Sequence, residues 1–261
     1  MVYYTGVTYM DIFYALIYGL FGTAAGSFLN VCILRIPEGR SFITGRSHCP
    51  FCGGQLLARD MIPVLSWICL GGRCRFCRHA LPIQYPAVEA MTGTVFFLCV
   101  LAKGPGTEAV IMCLFACLLT VAAWIDARYM YIPDGIHLFI LALAVSSILL
   151  SGQSCIPGRA AGAVLCGGFL ALISFLTKGG VGGGDIKLLA SSGLLLGLKA
   201  GICSILMAYV LAGLWYAIPL IRGKVDGKTQ APMAPFFALS LMICGLWYDG
   251  LASWYLGLFR F

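Results

Sequence analysis

Residues 108–126 read EAVIMCLFACLLTVAAWID, an apolar run that opens on Glu108 and closes on Asp126 with no charge between them. As a helix it would be about 28 Å long, close to the thickness of the hydrocarbon layer of a bilayer. It is one of several such runs. The chain of 261 residues is 61% hydrophobic and 10% charged, whereas a soluble enzyme carries about a quarter charged residues. Further runs at 11–34, 86–102, 136–151, 159–177, 186–199, 200–221 and 233–250 predict an all-α polytopic membrane protein with about eight transmembrane helices. No Lys or Arg precedes Arg35, so the start lacks the basic region of a cleaved signal peptide and reads as the first membrane helix, within 1–34.

Charge orients the spans. Arg35, Arg40, Arg46, Arg59, Arg73, Arg75 and Arg78 fall between the first two runs. Arg128, Lys178, Lys187, Arg222, Lys224 and Lys228 fall in later loops of the same side. Only Lys103, Arg159, Lys199 and Arg260 fall on the other. The positive-inside rule makes the first side cytoplasmic. This topology accounts for the net charge of +7 without a nucleic-acid partner, and anionic membrane lipids are an expected contact.

With that orientation Asp126 and Asp185 both emerge at the cytoplasmic face, although neither was used to set it. An ionisable side chain at bilayer depth costs roughly 2.5–3.5 kcal/mol, so it persists where it pairs, coordinates or reacts. Asp185 follows a glycine turn in Gly182-Gly183-Gly184-Asp185-Ile186-Lys187. Two carboxyls at one face can share a proton and hydrolyse a peptide, one as acid and one as base. Asp185 also reads as a simple helix N-cap. Asp126 has no such structural role, because an acid at a helix C-terminus is mildly destabilising. The helix ends predict an ionised Asp185 and a protonated Asp126. Asp134 reads as an N-cap. Lys187, about 200° round the helix from Asp185, reads as a snorkelling cation. Glu89, inside the second run, needs a partner or a proton.

Residues 35–85 form the only sizeable polar segment, a small domain inserted between the first two helices, with 86–261 as the main membrane domain. It carries Cys49-Pro50-Phe51-Cys52 and Cys74-Arg75-Phe76-Cys77. Paired Cys-x-x-Cys motifs at this separation fit a four-thiolate structural zinc site, a zinc-ribbon-like insert whose metal compensates for a small core. Two disulfides and four free thiols are the other readings, and a reducing cytoplasm argues against disulfides. His48 and His79, near these pairs, read as surface residues. Cys32, Cys69, Cys99, Cys113, Cys117, Cys155, Cys166, Cys203 and Cys244 are scattered, mostly in apolar runs, as small hydrophobes. No P-loop, dinucleotide fingerprint or Ser-His-Asp arrangement is present.

In order and spacing these motifs resemble the type IV prepilin peptidases, bacterial membrane aspartyl proteases that also N-methylate their product. The resemblance rests on Gly26-Ser27-Phe28-Leu29-Asn30-Val31-Cys32 with Arg35 and Pro37, the cysteine pairs, and Ile62-Pro63-Val64-Leu65-Ser66-Trp67. It continues through Tyr85-Pro86-Ala87-Val88-Glu89-Ala90-Met91-Thr92-Gly93, Asp126 with Tyr131-Ile132-Pro133-Asp134, and the segment around Asp185. The resemblance implies Asp126 and Asp185 as the catalytic pair, prepilins or pseudopilins as substrates, and the bacterial cytoplasmic (inner) membrane as location. It implies S-adenosylmethionine as methyl donor, for which no binding residues are readable. The chain departs from the family at Pro232-Met233-Ala234-Pro235, where Pro-Phe-Gly-Pro is common. A presenilin-like aspartyl protease would not need the cysteine insert. A proton-coupled transporter, the rival from another class, would often show inverted repeats, and none is evident.

Overall fold

The computed structural model describes residues 8–45, 47–151, 156–223 and 230–257. Arg46, Cys155, Lys224, Lys228 and Arg260, on which parts of the sequence reading drew, lie outside the described residues. Helix α1 spans Tyr9–Arg35, followed by a 3-10 turn at Ala58–Met61 and the short α2 at Leu65–Cys69. Then come α3 (Gln84–Lys103), α4 (Thr107–Tyr129), α5 (Asp134–Ser151), α6 (Ile156–Leu176), α7 (Gly183–Leu196), α8 (Leu198–Ile221) and α9 (Ala234–Gly257). With α2 set aside, the eight remaining helices follow the eight expected runs. Six of them (α1, α3, α4, α6, α8 and α9) are long and apolar enough to cross a membrane. Helix α7, with 14 residues, is only about 21 Å long, because Gly197 at φ 85° ends it and the chain turns directly into α8.

The chain divides into two compact units, residues 1–121 and 122–261, with α4 running through the division. In the first, α1 begins with a reciprocal cap. The Thr8 hydroxyl accepts from the Asp11 N–H, and Asp11 accepts from the Thr8 N–H at 2.9 Å, which satisfies two N-terminal donors. Small residues then let α1 and α3 approach closely, as in packed membrane helices. A Cβ on Gly26 would lie 2.6 Å from the Glu89 Cα, and one on Gly93 would lie 2.6 Å from the Thr23 Cγ2.

In the second unit α6 and α7 meet backbone to backbone at Gly162 and Gly193. Helix α7 also packs on α5, α8 and α9, and α8 packs on α9. Ile125, Ile140, Leu188, Leu189, Phe237 and Leu241 are buried in this unit. Helix α9 is kinked at Trp247 (φ −129°, ψ 18°).

Candidate functional site

Asp126 and Asp185 fall in the same unit. Asp126 occupies the last turn of α4 and is 7% exposed. The residues before α9 turn the start of that helix onto it: the Ala234 N–H donates to the Asp126 Oδ2 at 3.0 Å, and the Met233 N–H donates to the same carboxylate. Ala234, at the position where the sequence departs from the family pattern, is fully buried. Backbone N–H groups at a helix start stabilise an anion.

Asp185 is the third residue of α7. The N-cap position is taken by Gly182, with no side-chain capping bond, so Asp185 is not the N-cap. Its Oδ2 packs against Gly182, where a Cβ would lie 3.3 Å away, while Oδ1 is buried with no hydrogen-bond partner. Asp126 lies near enough to act electrostatically on Asp185. On α8, Tyr209 senses the charge of Asp185 and Tyr216 that of Asp126. Their rings are held by edge contacts to Phe237 and Phe236, with centroids 6.0 and 5.8 Å apart.

The donors are therefore distributed opposite to the expectation from helix ends. That expectation considered only the helix carrying each residue, whereas a third helix supplies donors to Asp126. Buried side-chain atoms without a partner also lie in this unit. Among the described residues they are Asp185 Oδ1, both ring nitrogens of His137, and Ser192 Oγ, all on α5 and α7. Buried polar groups are normally satisfied, so these mark a region suited to receiving a polar group.

Lys187 forms an ion pair with Asp134, Nζ to Oδ1 at 2.7 Å. It therefore has a protein partner, not only the lipid surface expected for it. The pair joins the first turn of α5, the next helix after Asp126, to the first turns of α7, which carry Asp185.

In the first unit the insert brings together Cys49, Cys52, Cys74 and Cys77, whose four Sγ atoms all lie within 4.8 Å of one another. The Cys49 and Cys77 sulfurs are 3.9 Å apart, against about 3.8 Å for a tetrahedron with Zn–S bonds near 2.3 Å. All described cysteines are free thiols, and these four can hold a metal ion. The two knuckles repeat one backbone design. The Cys49 N–H donates to the Gly54 carbonyl and the Cys74 N–H to the His79 carbonyl, both at 2.9 Å. The residue after each second cysteine, Gly53 (φ 67°) or Arg78 (φ 60°), is left-handed. Backbone N–H groups of Cys77 and Phe76 point at the Cys74 sulfur and bring its thiol down to about 7. Cys77 accepts from the His79 N–H, but burial and the three neighbouring thiols push it up to about 11. His79 stacks on Phe51, with ring centroids 3.6 Å apart. Arg75 reaches back to Asp60 at 2.7 Å, and its hydrogen bond holds that carboxyl below the usual aspartate range.

Glu89 has the buried partner its position required: its Oε2 accepts the Val64 N–H at 2.7 Å, and Ser27 also donates to it.

Residues 20–103 match the family described as bacterial peptidase A24 N-terminal domain, and residues 113–218 match the type IV leader peptidase family. The chain is 34% identical over 241 residues to a Bacillus subtilis (strain 168) protein named prepilin leader peptidase/N-methyltransferase, covering 91% of this chain and 96% of that one. It is 32% identical over 278 residues to a protein of the same name from Aeromonas salmonicida (strain A449), covering 94% of each. A Xanthomonas campestris protein with that name is 28% identical over 263 residues, 90% of this chain and 92% of its own. No solved structure matches the chain significantly.

Proposed function

The chain belongs to the type IV leader peptidase family, and from that premise we propose that it cleaves the short basic leader from type IV prepilin-like precursors with Asp126 and Asp185, then N-methylates the new N-terminal residue. The observation that carries the catalytic assignment is the asymmetry of the pair. Asp126 receives backbone donors from the start of α9, while Asp185 keeps a buried oxygen without a partner. Two neighbouring carboxyls avoid double ionisation by sharing a proton, and donors on one of them place the charge there.

In this reading Asp126 is the carboxylate and Asp185 the acid. Asp126 takes a proton from water as the water oxygen bonds to the scissile carbonyl carbon. Asp185 gives its proton to the carbonyl oxygen, so a neutral gem-diol forms. The C–N bond then breaks as Asp126 returns its proton to the leaving amine, and a gem-diol hydroxyl returns one to Asp185. Both residues end as they began. The unpartnered groups of α5 and α7 are suited to hydrogen-bonding the peptide backbone near the cut.

Residues 35–85 serve as a metal-held cytoplasmic domain, with structural zinc on Cys49, Cys52, Cys74 and Cys77, and residues 86–261 as the protease domain. Four thiolates leave a zinc ion no open position, so its role is structural. The excess of positive loops on the insert side supports a site at the cytoplasmic face of the bacterial inner membrane, with prepilins or pseudopilins and anionic lipid as partners. S-adenosylmethionine supplies an electrophilic methyl group for the new amine.

Purified protein incubated with a prepilin tests the assignment. Leader removal is expected, and it is abolished by Asp126→Ala and by Asp185→Ala separately. Undiminished cleavage in either variant removes that residue from the mechanism. Mass analysis of the product with S-adenosylmethionine present reads the second activity.

A further inference from the structure

A recess in the first unit lies between α1, the insert and the first turns of α3. It is a cavity of about 210 Å³ with Glu89, Asn30, Trp67 and Tyr85 in its walls. A second, more open hollow of about 400 Å³ adjoins it and shares Arg35, Arg40 and His48. Together they form one elongated cleft with opposite ends. The inner end is anionic, through the buried carboxylate of Glu89; the outer end carries Arg35 and Arg40, the second of these ion-paired with Glu38 at 2.8 Å. The Arg35 guanidinium is fixed there by bonds to the Ser41 and Thr44 carbonyls at 3.0 and 2.8 Å.

Two features show that the inner end is built rather than incidental. First, Glu89 spends two acceptor positions on the Val64 N–H and the Ser27 hydroxyl, and a carboxylate has about four. Second, the carboxylate holds a strained turn in place. Val64 sits at φ 62°, ψ −53°, and the Leu65 N–H closes onto the Pro63 carbonyl at 2.6 Å. This is the rare, unfavourable γ-turn, adopted here by a β-branched residue, and such strain collects at ligand sites. The turn leads straight into α2, which carries Trp67. The indole N–H is bonded to the Leu81 carbonyl and one ring edge packs on Gly72, so the ring is held at the cavity wall.

We propose that this cleft is the binding site for S-adenosylmethionine, with Glu89 facing its cationic sulfonium, Trp67 and Tyr85 offering aromatic faces, and Arg35 facing its carboxylate. This rests on the methyltransferase reading above. A buried carboxylate beside aromatic rings is suited to an onium centre, and an arginine at the far end is suited to a carboxylate. A purely anionic ligand would meet Glu89, and a purely cationic one would meet Arg35; a zwitterion satisfies both. Asn30, buried and bonded to the Tyr85 carbonyl and to Gln84, positions the wall without itself being charged.

The test uses full-length, metal-replete protein in detergent. Ultraviolet cross-linking with methyl-labelled S-adenosylmethionine, followed by peptide mapping, is expected to label residues 27–40, 60–70 or 84–91, and unlabelled S-adenosylhomocysteine should compete. By calorimetry, Glu89→Gln is expected to bind S-adenosylmethionine roughly tenfold or more weakly, the loss of one charge-assisted contact. Ser66→Phe, which fills the cavity from its wall, should weaken it similarly. Labelling confined to residues 122–261, or unchanged affinity in both variants, overturns the site while leaving methyl transfer intact. If the unaltered protein neither binds the homocysteine product nor adds a methyl group to a cleaved prepilin, the methyltransferase reading fails and takes this site with it. The mapping needs no variant, so a Glu89→Gln protein that fails to fold does not shelter the proposal.

Discussion

The Ala234 N–H donates to the Asp126 Oδ2 at 3.0 Å, joining residues 108 positions apart in the chain. The start of α9 thereby supplies what the end of α4 lacks. Carbonyls at a helix C-terminus disfavour an adjacent carboxylate, while N–H groups at a helix N-terminus favour one. A side chain at position 234 is not needed for this bond, which is why alanine serves where glycine is common in the family.

Removing that donor should therefore cost activity without unfolding the bundle. Proline is tolerated at the first position of a helix but has no N–H. A hydrogen bond to a charged group is worth about 1.5–3 kcal/mol, so Ala234→Pro should slow prepilin cleavage about 10- to 100-fold. Ala234→Gly, which keeps the donor, should stay within about twofold of the unaltered rate. Initial rates of leader release decide it, and equal rates for the proline and glycine variants would contradict the role given to this bond.

The Lys187–Asp134 pair is a weaker tie. Both side chains are well exposed, 58% and 74%, and pairs of this kind contribute about 0.2–1 kcal/mol. Lys187→Met and Asp134→Asn should each reduce cleavage by less than about fivefold, with a coupling energy below about 1 kcal/mol in a double-mutant cycle. The effect should shrink as salt is raised. A loss as deep as that of an aspartate variant would place Lys187 within the chemistry instead.

The paired knuckles predict opposite responses at equivalent positions. Gly53 and Arg78 share a left-handed backbone, which costs a residue with a Cβ about 1–2 kcal/mol. Gly53→Ala should destabilise the insert by about 1 kcal/mol, whereas Arg78→Gly should be neutral or stabilising. Zinc release on titration with a chelator reports both. A lower resistance to chelator in Arg78→Gly than in Gly53→Ala would refute the equivalence.

Metal content and thiol titration form a linked prediction. Reduced protein purified without chelator should hold one zinc, and Cys49→Ser or Cys74→Ser should lose it. After chelation, the lowered thiol of Cys74 should ionise as the pH rises through about 7, and Cys77 only near 11. Thiolate ultraviolet absorbance should then show an early rise that disappears in Cys74→Ser. An early rise that persists in that variant would assign it to another cysteine.

Much of this was legible in the chain. Uninterrupted apolar runs located the helices because the hydrocarbon layer demands internally satisfied backbone over a fixed length. The short α7 was placed nearly correctly, since Gly182 and Gly197 flank it. The cysteine pairs located the four-thiol cluster because local spacing alone shapes each knuckle. Asp126 and Asp185 stood out because charge is costly where they lie.

What tertiary structure decided was the partner of each charge. Nothing around Asp126 indicates that the backbone of residues 233 and 234 will meet it, because every residue other than proline carries the same N–H. Lys187 meeting Asp134, and Glu89 holding the Val64 turn, likewise depend on which helix faces pack together. The sequence determined the segments and singled out the two aspartates; packing chose which of them is met by a helix start and which is left without a donor. The reason is physical: burial and helix length are set by side chains in a row, whereas hydrogen-bond donors for a buried acid can come from any backbone that close packing delivers.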